Sequence, residues 1–118
     1  NLDSMKASID VLAQYQGRKI AVLADMLELG DYEEKLHREV GQYCCDKHLD
    51  VVLTVGKAAN YISDVCKTNG IDTKHFEDNN ALVQYLLPNL QEGDVILVKG
   101  SNGMKLKEVI SALKEKEA

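Results

Sequence analysis

The chain has no tryptophan, one phenylalanine and one proline in 118 residues, so Leu, Val, Ile and Ala have to fill its interior. Its three cysteines, Cys44, Cys45 and Cys66, are odd in number, two are adjacent, and none stands in C-x-x-C spacing. That argues against a disulfide framework or a zinc site and for reduced structural thiols in a cytosolic protein. No apolar run reaches membrane-spanning length, and the first residues show no signal-peptide pattern. A concentrated basic face is also missing: net charge is -5 with acids and bases intermixed, which argues against a general nucleic-acid binder. So is a phosphate loop. G-x-x-x-x-G-K-[ST] occurs nowhere, since Gly56-Lys57 lacks both the upstream glycine and the following hydroxyl, and no G-x-G-x-x-G follows the first strand. If the chain handles nucleotide, it does so with help.

What is present is a regular alternation. Ile20 to Ala24 is an unbroken apolar run, as a strand buried on both faces should be, and it breaks at Asp25 into a loop ending at Gly30. Before it, Asp3 or Ser4 can cap a helix whose apolar positions Met5, Ile9, Leu12 and Ala13 keep helical spacing. After it, Asp31 with Glu34 reads as a capping box for a helix whose inward stripe is Leu36, Val40, Tyr43 and Cys44, fading near His48. Val51 to Val55 is a second strand, and Ala58, Ala59, Ile62, Val65 and Cys66 mark a third helix closed by Asn69-Gly70. Thr73 to Phe76 is a short third strand. Asp78 caps a helix carrying Ala81, Leu82, Tyr85 and Leu86, which Pro88 ends or kinks. Val95 to Lys99 reads as a further central strand, and a last helix carries Leu106, Val109, Ile110 and Leu113 and frays from Lys114 to Ala118. Strands alternating with helices predict one α/β domain over residues 1–118, three-layered, with a mostly parallel sheet in the order third, second, first, fourth.

In such a sheet, ligands gather at the carboxyl ends of the strands near the switch point, here the first and fourth. Lys99-Gly100-Ser101-Asn102-Gly103 is the best local site. Two glycines let amides approach a ligand, the following helix directs its N–H groups at an anion, Lys99 adds a charge and Ser101 a hydroxyl. The plain alternative is a strand-to-helix turn capped by Ser101 or Asn102. Asp25 can orient a ligand, pair with Lys99 or face water, the ion pair being favoured on the residues alone. His37 either faces the same crevice or lies on the surface, while His48 and His75 have no partners at ligand spacing. A phosphoacceptor receiver module is disfavoured, because Met26 follows Asp25 and the second strand ends Thr54-Val55-Gly56 without an acceptor aspartate.

Four blocks in order resemble the Mur ligases. Asn1-Leu2-Asp3-Ser4-Met5 is similar to the Asn-Pro-x-Ser-Met motif that opens their C-terminal domain, and Ala24-Asp25-Met26-Leu27-Glu28-Leu29-Gly30 to their Gly-Asp-Met-x-Glu-Leu-Gly. Leu36 to Gly41 and Val98 to Met104 match two further blocks, so the resemblance runs from Asn1 to about Leu113. It implies a Rossmann-like C-terminal domain, a fragment of a three-domain enzyme that joins D-alanyl-D-alanine to UDP-N-acetylmuramoyl-tripeptide through an acyl phosphate in peptidoglycan synthesis. ATP and Mg2+ would be bound mainly by the missing central domain, beside a missing N-terminal domain, in the cytoplasm. It further implies no catalytic residue on this domain alone, which would be inactive in isolation. Asn1, Ser4 and Asp25 would lie near the nucleotide, and Lys99, Gly100, Ser101 and Asn102 near the dipeptide. Leu2 stands in place of the family's proline, Ala24 in place of glycine, and Asn102 where many relatives have arginine. The competing reading is a stand-alone Rossmann-like small-molecule binding module without catalysis.

Overall fold

A computed structural model describes residues 1–117. Five helices alternate with four strands: α1 Leu2–Ala13, β1 Lys19–Ala24, α2 Glu33–Asp46, β2 Val51–Val55, α3 Asn60–Thr68, β3 Asp72–Phe76, α4 Asn79–Asn89, β4 Val95–Lys99 and α5 Lys107–Glu117. All strand pairs are parallel and the order is β3-β2-β1-β4, as the alternation predicts. Ile20 faces Val51 on one side and Ile96 on the other, and Leu23 faces Thr54 and Lys99. The helices divide between the two faces. Met5, Ile9 and Leu12 of α1 join Val40, Cys44, Ile62 and Cys66 of α2 and α3 over Ala21, Leu23 and Val52. Leu82, Leu86 and Val109 of α4 and α5 cover Ile20, Val22 and Leu53.

Several local expectations change. Val95–Lys99 is an edge strand among the described residues, not a central one: every residue in it is only half-buried. The inward stripe of α2 is His37, Val40, Gly41 and Cys44, with Leu36 and Tyr43 half-buried beside it. Gly41 decides that rotation, because a Cβ there would stand 2.8 Å from Val65 Cβ and 2.9 Å from the Ile62 carbonyl oxygen. The helix is turned so that α3 lies on this bare backbone. The Asp31–Glu34 capping box does not form. Gly30–Tyr32 is a single 3-10 turn, and α2 begins at Glu33 with no side-chain cap. α1 is capped by Asn1, whose Oδ1 accepts from the Ser4 amide at 2.8 Å, rather than by Asp3 or Ser4. Asp78 does cap α4, accepting from the Ala81 amide at 2.8 Å, and Pro88 sits in the last turn before the helix stops at Asn89.

α5 starts at Lys107, leaving Leu106 outside it, and continues to Glu117 instead of fraying from Lys114; Ala118 lies outside the described residues. Of its four predicted apolar positions only Val109 is fully buried, and Ile110 is 38% exposed. Leu106 and Leu113 are half-buried against the cluster that holds Val109. Cys44 and Cys66 are buried free thiols and Cys45 is half-buried. Burial pushes the Cys45 thiol up to about 11, which keeps it a poor nucleophile. Opposite the candidate site, Arg18 forks onto Asp94 at 2.9 and 2.7 Å, tying the start of β1 to the start of β4.

Candidate functional site at the carboxyl rim of the sheet

The loops leaving β1, β2 and β4 meet at the carboxyl ends of the strands. The Ser101 amide donates to the Asp25 carbonyl at 3.1 Å, and Ser101 Oγ accepts from the Leu27 amide at 2.9 Å. The Lys99–Asn102 loop is thus bound to the end of β1 at two points. Gly100 makes that approach possible, since a Cβ there would meet Ala24 Cβ at 2.7 Å and Leu106 Cδ1 at 3.0 Å.

Asp25 does not pair with Lys99, although their strands are neighbours. Its carboxylate is buried and accepts from the amides of Ala59 at 2.6 Å and Lys57 at 3.1 Å, so it holds the turn between β2 and α3. Two charge-assisted hydrogen bonds satisfy a buried carboxylate better than one long, entropically costly lysine at the strand end. Lys57 is thereby fixed through its backbone and left exposed at the rim. His37 neither faces the crevice nor lies on the surface. It is fully buried, with Nε2 accepting from the Met26 amide at 3.0 Å and Nδ1 donating to the Glu33 carbonyl at 2.7 Å. That pattern assigns the neutral Nδ1–H tautomer and makes the ring a brace for the loop after β1. The spacing 37, 40, 41, 44 was the signal that could have found it. His75, set aside on sequence, shares a 2.8 Å hydrogen bond with the buried hydroxyl of Thr54, and burial lowers its pKa.

α1 runs back along the sheet, so Asn1 and Ser4 come to the same rim, where Leu2 joins the cluster containing Met26 and Leu29. The Asn1 side chain is engaged there as a helix cap. Ser101 begins a single 3-10 turn, Asn102–Met104, without capping it, and α5 starts at Lys107, its first residues Lys107 and Glu108 lining the same cleft as the loop. Lys99, Gly100, Ser101 and Asn102 line one cleft of about 750 Å³, with Lys105 and Lys107 alongside. Among the described residues no group of three His, Cys, Asp or Glu could hold a metal ion, and no helix is long and apolar enough to cross a membrane.

The family model for the glutamate ligase domain of Mur ligases matches residues 1–102. The chain belongs to the Mur ligase family. As a Mur ligase domain it is similar, at 40% identity over 98% of its length, to the UDP-N-acetylmuramoyl-tripeptide--D-alanyl-D-alanine ligase of Haemophilus influenzae. The enzymes of that name from Bacillus subtilis and Escherichia coli are 38% and 39% identical over 95% and 98% of the chain. The domain spans about a quarter of their length, 26%, 25% and 25% respectively. A crystal structure of MurF from Acinetobacter baumannii superposes with a TM-score of 0.84 at 26% identity, covering 98% of this chain and 26% of that one. MurF ligase from Thermotoga maritima in complex with ADP shares the fold, with a TM-score of 0.79 at 24% identity over 98% of this chain and 26% of that one. The Mur ligase domain is α/β, as its alternating elements predict.

Proposed function

We propose that this chain is the C-terminal domain of an ATP-dependent ligase joining D-alanyl-D-alanine to UDP-N-acetylmuramoyl-tripeptide. In that reaction the tripeptide carboxylate takes the γ-phosphoryl group of ATP and releases ADP. The dipeptide amine then attacks the acyl carbon and displaces phosphate, forming the new C–N bond. The observation that carries the reading is a division of labour at the rim. The Lys99–Asn102 loop is held rigidly and presents a cation, backbone amides and the Ser101 hydroxyl, yet the chain has no phosphate loop and, among the described residues, no metal-binding cluster.

A domain so built positions substrates and leaves triphosphate and Mg2+ to the central domain. Asn1, Ser4 and Asp25 serve the nucleotide side by shaping the rim: Asn1 caps α1 through Ser4, and Asp25 sets the Lys57 turn. Lys99, Gly100, Ser101 and Asn102 face the dipeptide. The Ser101 oxygen accepts from Leu27, which leaves its own proton to donate. Holding amine and acyl phosphate in attack geometry is worth roughly 7–11 kcal/mol in favourable cases, and domain closure is the usual way of doing so.

The test is phosphate release by the intact enzyme given ATP and UDP-N-acetylmuramoyl-tripeptide, with and without D-alanyl-D-alanine. Release that depends on the dipeptide, and falls in Lys99→Ala through a raised KM, supports the reading. Release that no related amine stimulates refutes it and returns the chain to the class of stand-alone small-molecule binding modules.

A further inference from the structure

Asn-Gly occurs twice in the chain, at Asn69-Gly70 and Asn102-Gly103. It is the pair in which a backbone nitrogen most readily attacks the side chain before it, because glycine puts no Cβ in the way. Both pairs are exposed, and the fold treats them differently. At Asn69 both reacting groups are engaged: Asn69 Nδ2 donates to the Val65 carbonyl at 2.8 Å, and the Gly70 amide donates to the Lys67 carbonyl at 3.1 Å. The next amide, that of Ile71, donates to the Cys66 carbonyl at 3.0 Å and closes the turn behind them.

At Asn102-Gly103 neither the side-chain amide nor the glycine N–H has a partner among the described residues. The turn is anchored beyond the pair rather than at it, since Asn79 Nδ2 of α4 donates to the carbonyls of Met104 at 2.9 Å and Lys105 at 3.3 Å. One bond spans the Asn102 torsion that must turn for the attack, from the Met104 amide to the Ser101 carbonyl at 3.0 Å, and bonds of a single 3-10 turn have poor geometry. Lys99, Lys105 and Lys107 line the same cleft against one acid, Glu108, and positive charge nearby favours the deprotonated nitrogen that attacks. We propose that Asn102 is a spontaneous modification site, deamidating through a cyclic imide and thereby disarming the cleft. The Gly103 nitrogen gives up its proton and bonds to Asn102 Cγ. The Cγ–Nδ2 bond breaks, and ammonia leaves with that proton. Water then opens the imide at either carbonyl, leaving an aspartate or an isoaspartate at position 102. Either product brings a carboxylate into the cleft of the three lysines, and isoaspartate also lengthens the main chain by a methylene within the turn. The chemistry stands apart from the proposed ligase reading; only its effect on activity rests on that reading.

The experiment ages the intact ligase in mildly alkaline buffer and follows both sites by peptide mass mapping, with enzymatic methylation to report isoaspartate. Asn102 should convert about thirtyfold faster than Asn69, where two more hydrogen bonds of ordinary strength have to open. Phosphate release that depends on D-alanyl-D-alanine should fall in step with conversion at Asn102. Gly103→Ala adds a Cβ that meets only the flexible end of Leu27, at 3.0 Å. It should leave Asn102 unconverted over the same interval, and the variant should keep its own starting activity. Equal conversion at the two sites, or conversion first at Asn69, overturns the site. Conversion at Asn102 without loss of activity overturns its effect on the cleft. A fresh wild-type enzyme whose phosphate release ignores the dipeptide overturns the ligase reading, and the two conversion rates still decide the chemistry.

Discussion

Replacing Gly100 by alanine should loosen the loop that carries the candidate site, and the size of the effect follows from three distances. The new methyl would lie 2.7 Å from Ala24 Cβ, 3.0 Å from Leu106 Cδ1 and 3.2 Å from Ala24 Cα. Leu106 can rotate away, but Ala24 is part of β1, paired with Val55 of β2 and fully buried. Overpacking against a rigid neighbour costs about 1–3 kcal/mol, and contact with main chain puts this case near about 2.5. Ala24→Gly alone removes a buried methyl, about 0.8 kcal/mol, and loosens a strand backbone, roughly 0.5–1 kcal/mol. It should therefore cost about 1.5 kcal/mol. If the two changes were independent the double variant would lose about 4 kcal/mol. Because Ala24→Gly removes the atom in the shortest contact, the double should lose only about 2.5, a coupling of about 1.5 kcal/mol. Urea unfolding of the 118-residue chain reads this directly, since about 2.5 kcal/mol at a slope of about 1.3 kcal/mol/M moves the midpoint by nearly 2 M. Additivity within about 0.5 kcal/mol would refute the claim that Gly100 is bare because Ala24 occupies its space.

Asp25→Ala should cost roughly 3–4 kcal/mol, because it strands the Lys57 and Ala59 amides that the carboxylate accepts from; a loss under about 1 kcal/mol by the same urea assay contradicts that account. His37→Ala should cost about 3–4 kcal/mol, combining a cavity under α2 with an unpaired Met26 amide. Faster hydrogen exchange at Met26 than at distant Leu82 would confirm the mechanism, and equal rates would sink it. Arg18 beside Asp94 holds that carboxyl below its ordinary value of 3.8. Its contribution is therefore full above the unfolded value and disappears as pH falls through the lower native one. Asp94→Asn should then be about 2 kcal/mol less stable than wild type near neutral pH, with Asp94 only 5% and Arg18 30% exposed. The gap should close as the pH falls from the ordinary value of 3.8 through the lowered native one; a gap that stays constant throughout that acid titration would show that the carboxylate charge contributes nothing.

The order of elements, the parallel strand order and the cap at Asp78 are local or nearly local matters, and they were legible in the chain. A run such as Ile20–Ala24 declares a doubly buried strand by composition alone, and alternation with helices leaves few topologies. The apolar face of α1 was equally plain, with Met5, Ile9 and Leu12 all buried. For α2 periodicity found Val40 and Cys44, with Leu36 and Tyr43 packed half-buried beside them, but it missed the buried His37 and Gly41, because a histidine and a glycine do not score as apolar.

By itself, then, the sequence determined the α/β alternation, the placement of Asp25 and the Lys99 loop at one rim, and membership of a family through four ordered blocks. Only the tertiary structure decided what those residues bond to. Asp25 finds its partners more than thirty residues downstream, at Lys57 and Ala59. Ser101 reaches back to Asp25 and Leu27, and Lys105 is bent by Asn79 of another helix. Such pairings are set by how strands and helices are brought together, not by spacing along the chain. A buried carboxylate takes whichever donors the fold delivers to it, and here the fold delivered backbone amides before it delivered a lysine.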